Sequence, residues 1–205
     1  MRKRPTLVGC AVVATWTLLA GCGQVAGAAR PDDSAPATFD TGDPTPTPTV
    51  ALPPRPQRVD LDAVSDPCAL LTTAQQVLFG INRFRPDEDT GFGHAGCQYK
   101  VDAHPPRYGF TVTAKPDFDA RRLLTGEIGR RAKVTSAAGF PAVGSRPGLY
   151  GDTNLSCFIN VDVADGQSLE VQSLLISTEA FTSDEMCEKT RLVAEAAMAT
   201  LLNRQ

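Results

Sequence analysis

Apolar positions near the C-terminus of the chain follow two periods in succession. From Cys157 to Val163 the odd positions are apolar and most even ones are polar. A period of two is that of a half-buried strand. From Met186 onward the period becomes helical: Met186, Thr190, Val193, Ala197 and Leu201 recur, with Cys187, Ala194 and Met198 beside them. The pattern predicts a strand region followed by a C-terminal helix with one core-facing stripe, whose alanines allow close packing on a sheet. Thr182 and Glu185 have capping-box spacing, and Phe181 and Met186 are placed as a hydrophobic staple around that start.

The strand needs a partner, and the register decides which turn joins them. A two-residue Asp165-Gly166 turn would set Val161 opposite Glu170, which is wrong for a half-buried sheet. A three-residue Ala164-Asp165-Gly166 loop sets Val161 opposite Leu169 and Ile159 opposite Val171. It also puts Gly166 where a left-handed residue is wanted. The second arrangement is the predicted one, and it turns Cys157 into the core.

Earlier elements are shorter. In "SDPCALLTTAQQVLFGI", Asp66 can cap a turn that opens on Pro67, where a missing N–H costs nothing. Thr72 and Gln75 predict a short helix from Thr73 to Phe79 that stops at Gly80. Leu70, Leu71, Val77 and Leu78 are expected to face the core. "GCQYKVD" and "YGFTVTA" read as strands joined by "AHPPR". "PDFDARRLL" reads as a short helix, with Pro116 and Asp117 at its start and Gly126 just beyond its end. "RAKVTS" reads as a strand, and "AAGFPAVGSRPGLYGDTN" as a long loop region. The elements add up to an α+β domain over residues 59–205: a mostly antiparallel sheet packed by helices, with the C-terminal helix on one face.

The stretch before this domain has a different composition. Residues 22–58 hold few large apolar side chains and many Pro, Thr, Asp, Ala and Gly, with an alternating "DPTPTPTV". Such a segment buries too little surface to offset its ordering entropy and reads as a disordered tether. Thr45, Thr47 and Thr49 offer exposed Pro/Thr positions of the kind O-linked sugars occupy; an unmodified spacer is the equal alternative.

Residues 1–21 are different again. "MRKRP" is positive, and "TLVGCAVVATWTLLA" is apolar but too short and too terminal for an ordinary spanning helix. Leu19-Ala20-Gly21-Cys22 follows and resembles the bacterial lipobox, in which the cysteine thiol receives a diacylglyceryl group and the chain is cut before it. Leu7-Val8-Gly9-Cys10 matches the same pattern, but almost no apolar run precedes it. The expectation is a signal peptide over 1–21, lipidation at Cys22, and a location at the outer face of the cytoplasmic membrane. A removed secretory signal with an unmodified Cys22 and an uncleaved anchor are the alternatives.

Of six cysteines, Cys68, Cys97, Cys157 and Cys187 remain for the domain. In an exported chain they read as two disulfides, and four cysteines allow three pairings. Cys68 and Cys187 lie near helix starts; Cys97 and Cys157 lie on strands. Sequential pairing, Cys68–Cys97 and Cys157–Cys187, is preferred because it makes two helix-to-strand staples.

Charge narrows the partners. The formal net charge is −3, and without the first 21 residues 17 basic side chains face 23 acidic ones. That balance argues against nucleic acid or an anionic lipid surface as the main partner. The expected partners are the membrane, through the lipid on Cys22, and an envelope protein or small ligand.

Candidate chemistry is sparse. "DTGFGHAGCQY" carries Gly91, Gly93 and Gly96 at G-x-G-x-x-G spacing. A dinucleotide turn must follow a buried strand and open a helix. Here a polar, proline-broken "RFRPDEDT" precedes it and strand-like "CQYKV" follows, so the glycines read as a loop that delivers Cys97 to a strand. No H-x-H, H-E-x-x-H, C-x-x-C or G-x-S-x-G occurs, so no metal, cofactor or nucleophile site is expected. An envelope hydrolase using His94 or His104 with a carboxylate is the alternative to a non-enzymatic binding module, and a sensor or inhibitor domain acting on an envelope enzyme is a third reading.

Taken together, the lipobox, the Pro/Thr tether, "DPCALLT" with Cys68 and the later "GCQY" resemble a family of actinobacterial surface lipoproteins catalogued as a domain of unknown function. Its members often carry a tryptophan soon after the second cysteine, where this chain has Tyr99. The resemblance implies export, lipid anchoring, paired cysteines and a compact α+β domain, and it supplies no catalytic residues.

Overall fold

A computed structural model describes residues 51–90, 93–125, 132–146, 156–175 and 181–204. Cys10, Cys22, Thr45, Thr47, Thr49, Gly91 and Gly126 lie outside them, as do residues 1–50 as a whole. Seven strands are described: β1 (Arg83–Asp87), β2 (Gly96–Val101), β3 (Tyr108–Lys115), β4 (Lys133–Ala137), β5 (Phe140–Ser145), β6 (Phe158–Ala164) and β7 (Gln167–Leu175). They form one sheet in the order β1-β2-β3-β7-β6-β5-β4, with every neighbouring pair antiparallel. Two α-helices, α1 (Thr73–Leu78) and α2 (Ser183–Leu202), and two 3-10 turns, Pro67–Leu70 and Ala120–Leu123, complete the described elements.

Helix α2 begins at the expected capping box. Thr182 Oγ1 accepts from the Glu185 N–H, and the Glu185 carboxylate accepts from the Thr182 N–H at 2.7 Å. Those donors pull the Glu185 carboxyl below its ordinary range. The predicted stripe is the buried one: Met186, Thr190, Val193, Ala194, Ala197, Met198 and Leu201 are all inside.

Beneath the helix, the register builds a continuous apolar row, Cys97–Val112–Val171–Ile159. Val161 stands opposite Leu169 and Ile159 opposite Val171, as the hairpin pattern predicts. Gly166 has φ of +71°. The turn itself is shorter than expected. Ala164 pairs with Gln167, and an irregularity between Asp162 and Ala164 absorbs the extra residue. A bulge thus does what the longer loop was expected to do.

Four further expectations are corrected. Val77 and Leu78 are exposed at 73% and 78%. Helix α1 is only six residues long, and polar ties hold it: Gln75 Nε2 donates to the Ala196 carbonyl and Gln76 Nε2 to that of Leu71, each at 2.8 Å. Leu70 and Leu71 before it and Ile81 after it supply the apolar contacts instead.

The region read as a loop from Ala137 contains strand β5, because Ala138 and Gly139 take φ of 51° and 79°. Two successive left-handed residues make the tight turn that matches strand twist, so a hairpin closes there. The helix expected from Pro116 is only the 3-10 turn Ala120–Leu123, capped by Asp119. Finally, "RFRPD", read as proline-broken, is edge strand β1, where Pro86 is tolerated because its outer side needs no donor.

Ordered contacts also begin ahead of Val59. Leu52 packs with Phe118, Ala120, Leu123 and Val143 in a second, small apolar cluster.

Candidate functional site

Both disulfides pair sequentially: Cys68 with Cys97 and Cys157 with Cys187. Each fastens the sheet to an element on its helix-covered side. Tyr99 closes the first staple. Its ring is fully buried and its phenol donates to the Cys68 carbonyl at 2.9 Å. Burial pushes the Tyr99 phenol above its ordinary range.

The described part of the glycine motif, Gly93 to Gly96, leads into a strand and opens no helix. Gly96 lies inside strand β2, paired with Thr113. A Cβ there would meet Thr113 Oγ1 and the Val112 carbonyl at 2.9 Å, so the residue serves close strand packing. Gly93, at φ of +76°, shapes the turn before it.

The histidines are separate. His104 is exposed on the β2–β3 turn. His94 is largely buried, with Nε2 3.1 Å from the exposed carboxylate of Asp117. Among the described residues, no hydroxyl or thiol of a nucleophilic side chain is hydrogen-bonded to the His94 ring. No group of three or more His, Cys, Asp or Glu able to hold a metal occurs among the described residues.

The face of the sheet away from α2 carries an unexpected feature. Two rows, Thr113–Glu170–Asn160 and Lys115–Ser168–Asp162, place six polar residues side by side. All six are buried. Lys115 Nζ lies 2.8 Å from Glu170 Oε1 and 4.9 Å from the centre of the Phe118 ring. Arg55 donates to Asp162 at 2.8 Å and also pairs with Asp165. Burial raises the Asp162 carboxyl against the opposing pull of Arg55 and Arg121. These groups neutralise one another beneath the 52–55 and 116–124 segments, a structural arrangement rather than an open site.

An open cleft lies elsewhere, between the N-terminal part of α2 and the β4–β6 side of the sheet. Lys133, Thr135, Gly144, Ser145, Arg146, Cys157, Ile159, Cys187 and Arg191 enclose about 190 Å³. Ile159, Gly144 and the Cys157–Cys187 pair give it an apolar wall, and three cations stand around it. Arg146 pairs with Asp184. Arg191 binds Glu188 through two bonds, of 2.8 and 2.6 Å, and reaches Glu195 as well. Glu188 first, then Glu195, hold its guanidinium firmly protonated. Lys133 is exposed and has no acidic partner among the described residues.

Sequence reading named Cys157 and Cys187 but not this cleft. Its cations come from β4, from the end of β5 and from α2. Only the pairing of those strands and the crossing of the helix bring them together.

An antiparallel sheet with a terminal helix on one face, held by two sequential disulfides, defines an α+β class. The chain belongs to a family described as "protein of unknown function (DUF3558)", whose model matches residues 17–200. No curated protein and no solved structure matches the chain.

Proposed function

We propose that this chain is a lipoprotein, anchored through Cys22 at the outer face of the cytoplasmic membrane, that acts as a non-enzymatic binding module of the cell envelope. The lipobox pattern and the Pro/Thr tether support the anchor. The cleft beside β4 carries the binding reading. Its volume, about 190 Å³, is below the several hundred cubic ångströms of a site for a drug-sized ligand. It suits one inserted side chain, and Lys133, which has no acidic partner among the described residues, favours an acidic one. Strand β4 ends the sheet among the described residues, so an extended segment of a partner protein can lie along that edge while that side chain enters the cleft.

A photo-crosslinking residue at position 134, exposed on the edge strand beside Lys133, tests this in the native envelope. It should give a discrete adduct that position 104, at the opposite side of the sheet, does not give. Lys133→Glu should abolish the adduct. Equal labelling from both positions, or none from 134, overturns the reading.

A further inference from the structure

The two disulfides have unlike surroundings. Cys68 and Cys97 are buried at 8% and 0% exposure, under the Pro67–Leu70 turn and against Tyr99. Cys157 and Cys187 line the open cleft, and only Cys157 is fully buried, at 1%. Cys187 is partly exposed in the first turns of α2. The surrounding charges are Lys133, Arg146 and Arg191 on the cationic side and Asp184, Glu188 and Glu195 on the acidic side. Each arginine is occupied by acids, which leaves the Lys133 ammonium as the charge without an acidic partner among the described residues.

Access and positive charge are what select a sulfur for thiol–disulfide exchange. The attacking thiolate must approach along the S–S axis, and a nearby cation stabilises the thiolate that leaves. We propose that Cys157–Cys187 is an exchange site for a dithiol reductant of the envelope, attacked at Cys187, while Cys68–Cys97 is a permanent structural bond. One thiolate of the reductant bonds to the Cys187 sulfur. The S–S bond breaks and its electron pair leaves on Cys157, which then takes a proton. The second thiol of the reductant loses its proton and attacks the mixed disulfide, releasing Cys187 as a thiolate. Two electrons pass from the dithiol, which ends as a disulfide.

The fold survives that step. Helix α2 stays seated by Met186, Thr190, Val193, Ala197 and Leu201 and by its capping box. What loosens is the tie between the helix start and β6, which is one wall of the cleft. Opening is therefore local rather than global. The inference stands on access to the bond and is independent of whether the cleft seats a partner.

The test is kinetic. The full-length chain is exposed under native conditions to dithiothreitol and to a thioredoxin-type dithiol protein, quenched by alkylation and mapped by mass spectrometry. Thiols at Cys157 and Cys187 should appear at least tenfold faster than at Cys68 and Cys97, with the circular-dichroism spectrum unchanged. A dithiol protein lacking its second cysteine should be trapped on Cys187. Lys133→Ala should slow the exchange several-fold. Equal rates at the two bonds, reduction of neither short of unfolding, trapping on Cys157, or a Lys133→Ala rate equal to that of the unaltered chain each overturn the proposal as stated.

Discussion

Arg55 reaches across from the segment that leads into the domain and hydrogen-bonds the buried Asp162 at 2.8 Å. The contact sits on the face of the sheet opposite α2, so it ties the segment ahead of Val59 to β6, the strand that follows Cys157. Arg55→Ala should lower stability at neutral pH by about 1–3 kcal/mol, the usual penalty for a buried polar group deprived of its partner. Asp162 already has its carboxyl raised by burial, and losing Arg55 raises it further. A raised carboxyl means the folded state binds the proton more readily, so the variant's deficit is full above the folded Asp162 pKa and shrinks as pH falls through it. Urea titrations at several pH values read this directly; a deficit independent of pH contradicts it.

Lys115 and Glu170 form the other charged contact of that face, at 2.8 Å and almost fully buried. Glu170→Gln should cost about 3–5 kcal/mol, because it removes the carboxylate that lies 2.8 Å from a buried ammonium. The double change Lys115→Met with Glu170→Leu should recover most of that loss. If the double variant is as unstable as the single one, charge is not what the two residues contribute.

Much of the architecture could be read before any coordinates. The Val161–Leu169 pairing followed from alternation plus one glycine, and the α2 stripe from helical spacing. The preference for sequential cystines followed from placing each cysteine on its element. The buried polar block could not be read this way. Asn160 and Asp162 occupy the positions that alternation assigns to solvent, and nothing local reveals that the 52–55 and 116–124 segments fold over them. Strand β5 was missed for the opposite reason: its proline and glycine look like loop residues until the Ala138-Gly139 turn pairs them with β4.

Close strand packing at glycines gives a third prediction. A Cβ at Gly109 would sit 2.7 Å from the Tyr99 carbonyl oxygen, backbone that cannot move without disturbing the β2–β3 pairing. Gly96 is similarly enclosed, while nothing lies within 4 Å of a Cβ at Gly93. Gly109→Ala and Gly96→Ala should therefore each cost about 1–3 kcal/mol, the range for overpacking. Gly93→Ala should cost only the left-handed penalty of about 1 kcal/mol. Denaturant midpoints rank them; Gly93→Ala as the worst of the three would refute the packing account.

Anchoring is tested at the chain's other end. Cys22→Ala should either release the protein from membranes or leave its precursor uncleaved, as seen by fractionation and by the mass of the product. Normal processing together with membrane partitioning would remove the lipobox reading.

Local chemistry suffices for whatever depends on neighbours a few residues apart. Caps at Asp66, Thr72 and Thr182, the left-handed Gly166 and the period of each apolar stripe all belong to that kind. Burial belongs to another kind, because whether a side chain meets water depends on what covers it from distant parts of the chain. That is why Val77 and Leu78 ended outside, why Asn160 and Asp162 ended inside, and why Lys133, Arg146 and Arg191 meet around one disulfide and not the other.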